Sequence, residues 1–420
     1  MLDPLSAKAA PQSTLESCRA CRAPDPYLFL PLGDHAPAQM LVNPAQVNEP
    51  QPAYPLNGQV CLECGLVQIA DQIPAEFFRH YLYVPSGAAT MHTHFASFAE
   101  VLARRAGSEG LIVDIGSNDG LLLAGCNALG ARTMGFDPAA NVVELAAARG
   151  VETYVDYFHP VSAAAFREKH GEAKVIVATN TFNHIGDLDA FMTGVALLLA
   201  EDGTFVMEVP HVKSFVLNAE FDNIYHEHVS EFSLLSIAKL VDFFDMEVTD
   251  VTSLPGIHSG SLRVFVTRRS TGLSPAPIVA QIIAEEAAAG LLRRETYERM
   301  VEQVSANGAK LIALLDGLKA QGKKIAGYGA SARGNTVITY LGIDADYLDF
   351  MVDKNPLKHG MLSPNTRIPI QPVETIESER PDVLFMLAWN FFDEIRAQQA
   401  AFEARGGQFL VPFPEPHMVP

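Results

Sequence analysis

Long apolar runs, basic charge and cysteine are all scarce in this sequence, and each shortage removes a class of protein. No stretch approaches the roughly 18 uninterrupted apolar residues of a membrane-spanning helix. The opening "MLDPLSAKAAPQST" has no basic start leading into an apolar run, so neither a secretory leader nor a membrane partner is expected, and the chain should be cytoplasmic. Lys and Arg number 30 against 49 Asp and Glu, a formal net charge of -19. Such a surface repels a phosphate backbone, which excludes nucleic acid as the general partner while leaving room for small anions met by a few placed cations. In a reducing compartment five cysteines argue against a disulfide framework and for metal binding or packing.

The chain nevertheless has ample material for cores. Its 420 residues exceed what one hydrophobic core usually supports, and 48% are hydrophobic. Residues 1–16 read as a disordered tail. Residues 17–80 carry two CxxC pairs, Cys18 with Cys21 and Cys61 with Cys64, in a Pro-rich segment short of helix pattern. Two such knuckles offer four soft ligands to a tetrahedral zinc ion, whose closed shell would leave no position for substrate, so the metal is expected to be structural. Cys126, in the apolar "LLLAGCNALG", is expected in the core.

From residue 81 to 272 helical stretches alternate with short apolar runs, "LIVDI", "TMGFD", "VETYV", "KVIVAT" and "GTFVMEV", and end in a hairpin, "MEVTDV" to "SLRVFVTRR". The alternation predicts a doubly wound α/β sheet with a terminal antiparallel pair. Residues 273–320 read as a helical bridge that Gly290 and Gly308 interrupt, and in 321–420 strand and helix alternate again as a second, smaller Rossmann-like domain.

Four constellations carry chemistry. In "LIVDIGSNDGLLL" an apolar strand ends in Asp114, and Gly116, Asn118 and Gly120 turn it into a helix. The next strand ends in Asp137, at the distance expected of a carboxylate that grips ribose hydroxyls. This D-x-G-x-x-x-G pattern with a downstream acid resembles the S-adenosylmethionine site of class I methyltransferases, and Asn118 and Asp119 fit a cofactor that has no pyrophosphate. "VIVATNTFNHIGD" places Asn180, Asn183 and His184 at the carboxyl end of the fourth strand, where open sheets collect ligands. "IYHEHVSEFS" follows the fifth strand and offers Tyr225, His226, Glu227 and His228, two imidazoles beside a phenol and a carboxylate that could orient one of them. On a strand Tyr225 and Glu227 would share a face; on a helix Tyr225 and His228 would. "IAGYGASARGNTV" puts Arg333 and Asn335 at a helix start suited to a pyrophosphate, with Lys354 and Lys358 after the following strand.

In this order, the zinc knuckles, the methyl-donor core, "YHEH" and "GYGASARGNT" resemble the sugar C-methyltransferases, which act on nucleotide-linked 4-keto-6-deoxy sugars, most familiarly TDP-sugars. The resemblance covers nearly the whole chain from Cys18 onward. It implies structural zinc in the first lobe, S-adenosylmethionine in the middle domain, a nucleotide sugar held with help from the last, and a monomer or weak homo-oligomer. It implies catalytic roles for Tyr225, Glu227, His228 and His184, and substrate contacts from Tyr81, Tyr83 and Ser86 in "HYLYVPSGAAT" and from Asn390 in "LAWN". Methylation at the carbon next to the ketone, C-3, needs a base near that carbon and a donor near the ketone oxygen. His228 is the expected base, with Glu227 orienting it, Tyr225 as alternative base and His184 as donor. His226 is expected to brace the loop. An O- or N-methyltransferase on the same core, and a zinc-bearing binding protein without catalysis, are the rival readings.

Overall fold

The structure, a computed structural model, describes residues 14–419. Residues 1–13 of the expected tail lie outside the described residues. Within the rest of it the Leu15 amide donates to Gln59 Oε1 at 3.0 Å, which ties the chain to the lobe before the first knuckle.

Between the knuckles the chain runs out and back as an antiparallel hairpin, β1 (Tyr27–His35) with β2 (Tyr54–Val60), and β3 (Val67–Gln68) follows the second knuckle directly. The hairpin brings the two knuckles together. Cys18 and Cys64 Sγ lie 3.6 Å apart, Cys21 and Cys61 Sγ 3.4 Å apart, and all four Sγ atoms fall within 4.8 Å of one another. Tetrahedral zinc with Zn–S bonds of about 2.3 Å needs S···S distances of about 3.8 Å, so the quartet fits the ion.

The α/β region follows the expected alternation: β4 (Leu111–Ile115), β5 (Arg132–Phe136), β6 (Thr153–Tyr154), β7 (Ala173–Thr179) and β8 (Leu199–Pro210). Every residue of β4 is buried, as the continuous apolar run of a strand covered on both faces requires. The next strand, β9 (Ser230–Glu231), leaves this sheet and pairs antiparallel with β3, so the first lobe's sheet runs β1-β2-β3-β9. Then β10 (Met246–Leu254) and β11 (Ser261–Arg268) form the expected hairpin, and β11 adds antiparallel to β8. The large sheet has the order β10-β11-β8-β7-β4-β5-β6. Cys126 is fully buried in its core, as expected.

The helices Pro277–Ala289 and Arg294–Ala320 make the bridge. Gly290 ends the first with a φ of 82°, a left-handed position that suits glycine. Gly308 does not interrupt the second. It sits buried inside a continuous helix where a Cβ would stand 2.9 Å from Leu341 Cδ2, so the glycine permits close approach of a neighbouring helix. Glu286, on the first bridge helix, is fully buried and accepts from the Leu234 and Leu235 amides at 2.7 and 2.9 Å and hydrogen-bonds His211 at 2.7 Å. It thereby caps the helix Leu234–Asp242 from outside and anchors the bridge to the α/β core.

The last part is a second α/β sheet. Its strands are β12 (Ile325–Tyr328), β13 (Phe350–Val352), β14 (Ile370–Gln371), β15 (Val383–Met386), β16 (Gln408–Val411) and β17 (His417–Val419), in the order β14-β13-β12-β15-β16-β17 with only β17 antiparallel. Among the described residues no helix is long and apolar enough to cross a membrane.

The cysteine quartet should hold one zinc per chain by metal analysis. Removing it with a strong chelator is expected to lower the thermal midpoint by about 5 °C or more, the shift that ~2 kcal/mol produces in a domain of moderate size. A metal-free protein with an unchanged midpoint would contradict the assignment.

Candidate active site

The loops at the carboxyl ends of β4, β5 and β7 meet at one crevice. Gly116, with a φ of 76°, turns the chain out of β4, and its amide donates to the Phe136 carbonyl at 2.7 Å. A Cβ at this position would stand 2.2 Å from Thr181 Oγ1, so a glycine here lets the β4 loop and the β7 loop touch. Asp137 accepts from the Asn118 amide at 2.9 Å and from the Ala139 amide at 2.9 Å, which stitches the turn after β4 to the end of β5. Burial raises Asp137, and raises Asp114 well above the usual carboxylate range, with the Asp137 charge adding to the effect. Gly120, φ 73°, starts the helix Leu121–Ala128 close against Ala146 and Val151.

This crevice is rich in unspent hydrogen-bonding capacity. Asp114 Oδ1, Ser117 Oγ, Asn180 Oδ1 and both amide atoms of Asn183 are buried without a partner among the described residues. Buried polar groups are normally satisfied, so such a cluster marks a place for a polar ligand. Asn180 is held with a φ of 50° by its amide's bond to the Glu208 carbonyl, and its Nδ2 faces His258 Nε2 at 3.4 Å.

The "YHEH" row is neither strand nor helix but a tight turn, in which the His228 amide donates to the Tyr225 carbonyl at 2.8 Å. Residues three apart therefore share a side. The Tyr225 hydroxyl hydrogen-bonds His228 Nε2, with the rings 3.9 Å apart, and His228 Nδ1 hydrogen-bonds Glu231 Oε1. Glu227 does not orient His228. The turn sends it the other way, where its Oε2 accepts from the Tyr81 hydroxyl at 2.7 Å and from Gln39 Nε2 at 2.8 Å, and its Oε1 stays buried and unpartnered. His226 braces the loop, with Nε2 at 3.2 Å from the Tyr54 and Pro55 carbonyls. The His184 ring lies 5.2 Å from the His228 ring and 6.0 Å from that of Phe78, so it joins the cluster of Tyr225 and His228. Burial lowers His228 to about 3, with Arg333's charge contributing, and lowers His184 well below the ordinary histidine value. Both imidazoles rest neutral.

The expected substrate contacts divide. The segment from Tyr81 to Ser86 spans the site: Tyr81 exchanges bonds of 3.0 and 2.7 Å with Asn141, the Tyr83 carbonyl accepts from Asn118 Nδ2 at 3.0 Å, and the Leu82 carbonyl accepts from Asn355 Nδ2 at 2.7 Å. The Ser86 carbonyl is 3.0 Å from His92 Nε2. Arg333 is not free to hold a pyrophosphate. Its guanidinium is spent on Asp222, through Nε and Nη2 at 2.9 Å each, and on Glu220 at 3.3 Å. Trp389, stacked 4.6 Å from the guanidinium, also donates to Asp222 at 2.8 Å. Lys354 pairs with Glu394 at 3.3 Å beside a cleft of about 290 Å³ with Tyr328, Asp353 and His359. Lys358 binds the Ala330 carbonyl at 2.9 Å and Asp353 at 3.2 Å. Asn335 is buried with Oδ1 unpartnered, and Asn390 is half-buried beside Trp389 in a short turn of helix.

Three family models match the chain in succession: a zinc binding domain over residues 18–78, a methyltransferase domain over 88–251, and a C-methyltransferase C-terminal domain over 256–414. The C-methyltransferase NovU of Streptomyces niveus is 33% identical over 408 residues, 96% of this chain and 97% of that protein. The chain belongs to this C-methyltransferase family. Solved structures similar to it include magnesium protoporphyrin IX methyltransferase of Synechocystis with bound SAH, at 12% identity, with 47% of this chain and 90% of that one covered and a TM-score of 0.34. An S-adenosylmethionine-dependent methyltransferase of Clostridium acetobutylicum is 11% identical over 42% of this chain and 92% of that one, with a TM-score of 0.34.

Two residues that the sequence did not offer stand out in this C-methyltransferase. Glu231 is three positions beyond His228, the same spacing that brings Tyr225 to it, and a turn reading of the row would have found it. Asp222 carries no local signal, because its donors come from residues more than a hundred positions away.

Glu227 and Glu220 are pushed up to about 7, chiefly by burial. A carboxyl with a raised folded pKa keeps its stabilising share below the unfolded value, near 4.3, and loses it as pH rises toward 7. Glu227→Gln is expected to flatten that loss by about 2 kcal/mol between pH 5 and 8, read by urea unfolding. Parallel stability curves for the two proteins would contradict the burial account.

Proposed function

We propose that this C-methyltransferase methylates a nucleotide-linked 4-keto-6-deoxy sugar, TDP-linked, at C-3, the carbon beside the ketone, with S-adenosylmethionine as donor. The observation that carries the reading is the hydrogen bond between the Tyr225 hydroxyl and His228 Nε2 beside the crevice of unpartnered polar atoms. The sugar assignment rests on the ordered motifs of the sequence. When bound, S-adenosylmethionine supplies an electrophilic methyl group. The crevice suits it: Asp137 would take the ribose hydroxyls, and Asp114, Gly116, Asn118, Gly120 and Asn180 would line its length. The unspent oxygens of Asp114 and Asn180 match a ligand that brings hydroxyl and ammonium donors.

His228 has both ring nitrogens engaged, so it acts as base through Tyr225. The sugar C–H bond breaks with its proton going to the Tyr225 oxygen, while the Tyr225 hydroxyl proton passes to His228 Nε2. The electron pair left on carbon delocalises onto the ketone oxygen as an enolate. His184, neutral and so carrying one N–H, would donate to that oxygen. Glu227, with a free oxygen and the Tyr81 hydroxyl beside it, would hold a sugar hydroxyl. Tyr83, Ser86, Asn335, Lys354 and Asn390 would contact the nucleotide sugar from the rim. Burial favours this chemistry, because the developing charge is then met by fixed donors in place of solvent.

In deuterated water, with S-adenosylhomocysteine in place of the donor, the chain is expected to exchange the C-3 hydrogen of a TDP-4-keto-6-deoxy sugar. Tyr225→Phe and His228→Asn should each slow the exchange and lower kcat by about 100-fold or more, with donor affinity retained. Full exchange in Tyr225→Phe would show that His228 takes the proton directly. Absence of exchange in the wild type would remove the enolate mechanism.

A further inference from the structure

The row's proton chemistry ends at a residue outside the row. Glu231 is 1% exposed, its Oε1 is bonded to His228 Nδ1, and its Oε2 has no partner among the described residues. It sits on β9, which contributes nothing to the large sheet. Instead β9 is the fourth strand of the cysteine lobe: Glu231 pairs with Val67, and Ser230 with Gln68.

The pairing strand β3 begins three residues after Cys64, and the knuckle's own turn, with the Cys61 amide bonded to the Leu66 carbonyl at 2.9 Å, sets where it begins. Three more bonds fasten the lobe to the same segment. Arg19, between the first two cysteines, donates from Nη1 to the Val229 carbonyl at 3.0 Å. Ile69 donates its amide to that carbonyl at 3.2 Å. Ser233 Oγ donates to the Cys64 carbonyl at 3.0 Å. The residues from Val229 to Ser233 are thus held by the knuckles on one side and carry Glu231 toward His228 on the other.

We propose that Glu231 is the positioning residue of the Tyr225–His228 relay, and that the cysteine lobe works in catalysis by holding it there. The inference rests on the relay proposed above. The Glu231 carboxylate accepts from His228 Nδ1, which turns Nε2 toward the Tyr225 hydroxyl. When Nε2 takes the Tyr225 proton, the imidazolium so formed faces a carboxylate and needs no solvent to stabilise it. Glu227, the acid inside the motif, has the different task of facing the substrate.

Glu231→Gln tests the assignment. Its amide oxygen can still accept from Nδ1 but cannot balance the imidazolium, so kcat is expected to fall by about 100-fold or more with KM for the sugar within about threefold. In histidine-labelled protein, a far-downfield proton of the Nδ1 to Oε1 bond should be present in the wild type and missing from Glu231→Gln and His228→Asn. Arg19→Ala, which keeps all four cysteines, should weaken the same signal and lower kcat several-fold without releasing zinc. Glu231→Gln with unchanged kcat beside an inactive His228→Asn would overturn the role of Glu231 and leave the relay standing. Full turnover in His228→Asn would remove the relay itself. If Glu231→Gln does not fold, the wild-type spectrum decides: no downfield proton overturns the proposal.

Discussion

Asp222 has no solvent exposure and accepts from three donors of the last domain, two on Arg333 and one on Trp389. Taking a carboxylate and a guanidinium out of water costs several kcal/mol per ion, and only good geometry with full hydrogen bonding offsets it. Here the two-point bond is complete, the indole fills a further lone pair, Glu220 also accepts from Nη2, and Ser259 approaches the remaining nitrogen, Nη1. Such a pair gains little stability over apolar packing, but it tolerates only one arrangement of the groups that carry it. Tyr225 lies three residues beyond Asp222, so the pair fixes the upstream end of the turn that carries Tyr225 and His228. At the downstream end β9 is fixed by the cysteine lobe. A turn with no regular secondary structure of its own is thus held at both ends by distant parts of the chain.

The features legible in the sequence were those written locally. Apolar runs gave the strands of both sheets, two CxxC pairs gave the metal quartet, and Asp114, Gly116 and Asp137 marked the crevice by their place at strand ends. What stayed hidden depends on partners far along the chain. Arg333 at a glycine-rich helix start has the look of an anion site, yet two acids more than a hundred residues upstream neutralise it. Gly308 has the look of a helix break, yet a neighbouring helix needs its missing side chain. Glu227 was the obvious partner for His228 because it is adjacent; the turn makes adjacency the wrong measure, and Glu231 takes that place. β9, two residues long, has no periodicity to detect and exists because β3 waits for it.

The charge distribution fits the same division of labour. The net charge of -19 lies mostly on the surface, while the carboxyls inside meet fixed donors, as Asp222 does, or are raised by burial, as Glu227 and Asp114 are. The lowered imidazoles of His184 and His228 carry no charge at rest. In the proposed relay, charge develops on His228 at a group already held by its hydrogen bonds, which is how a preorganised site differs from water.

The central claim is that methyl transfer goes to carbon. It is tested most directly by incubating the chain with a TDP-4-keto-6-deoxy sugar and S-adenosylmethionine carrying a ¹³C-labelled methyl group, and locating the label by NMR. A labelled methyl correlated through carbon to the ring position beside the ketone is the expected result. A label with the shift of an O-methyl or N-methyl group would contradict the account.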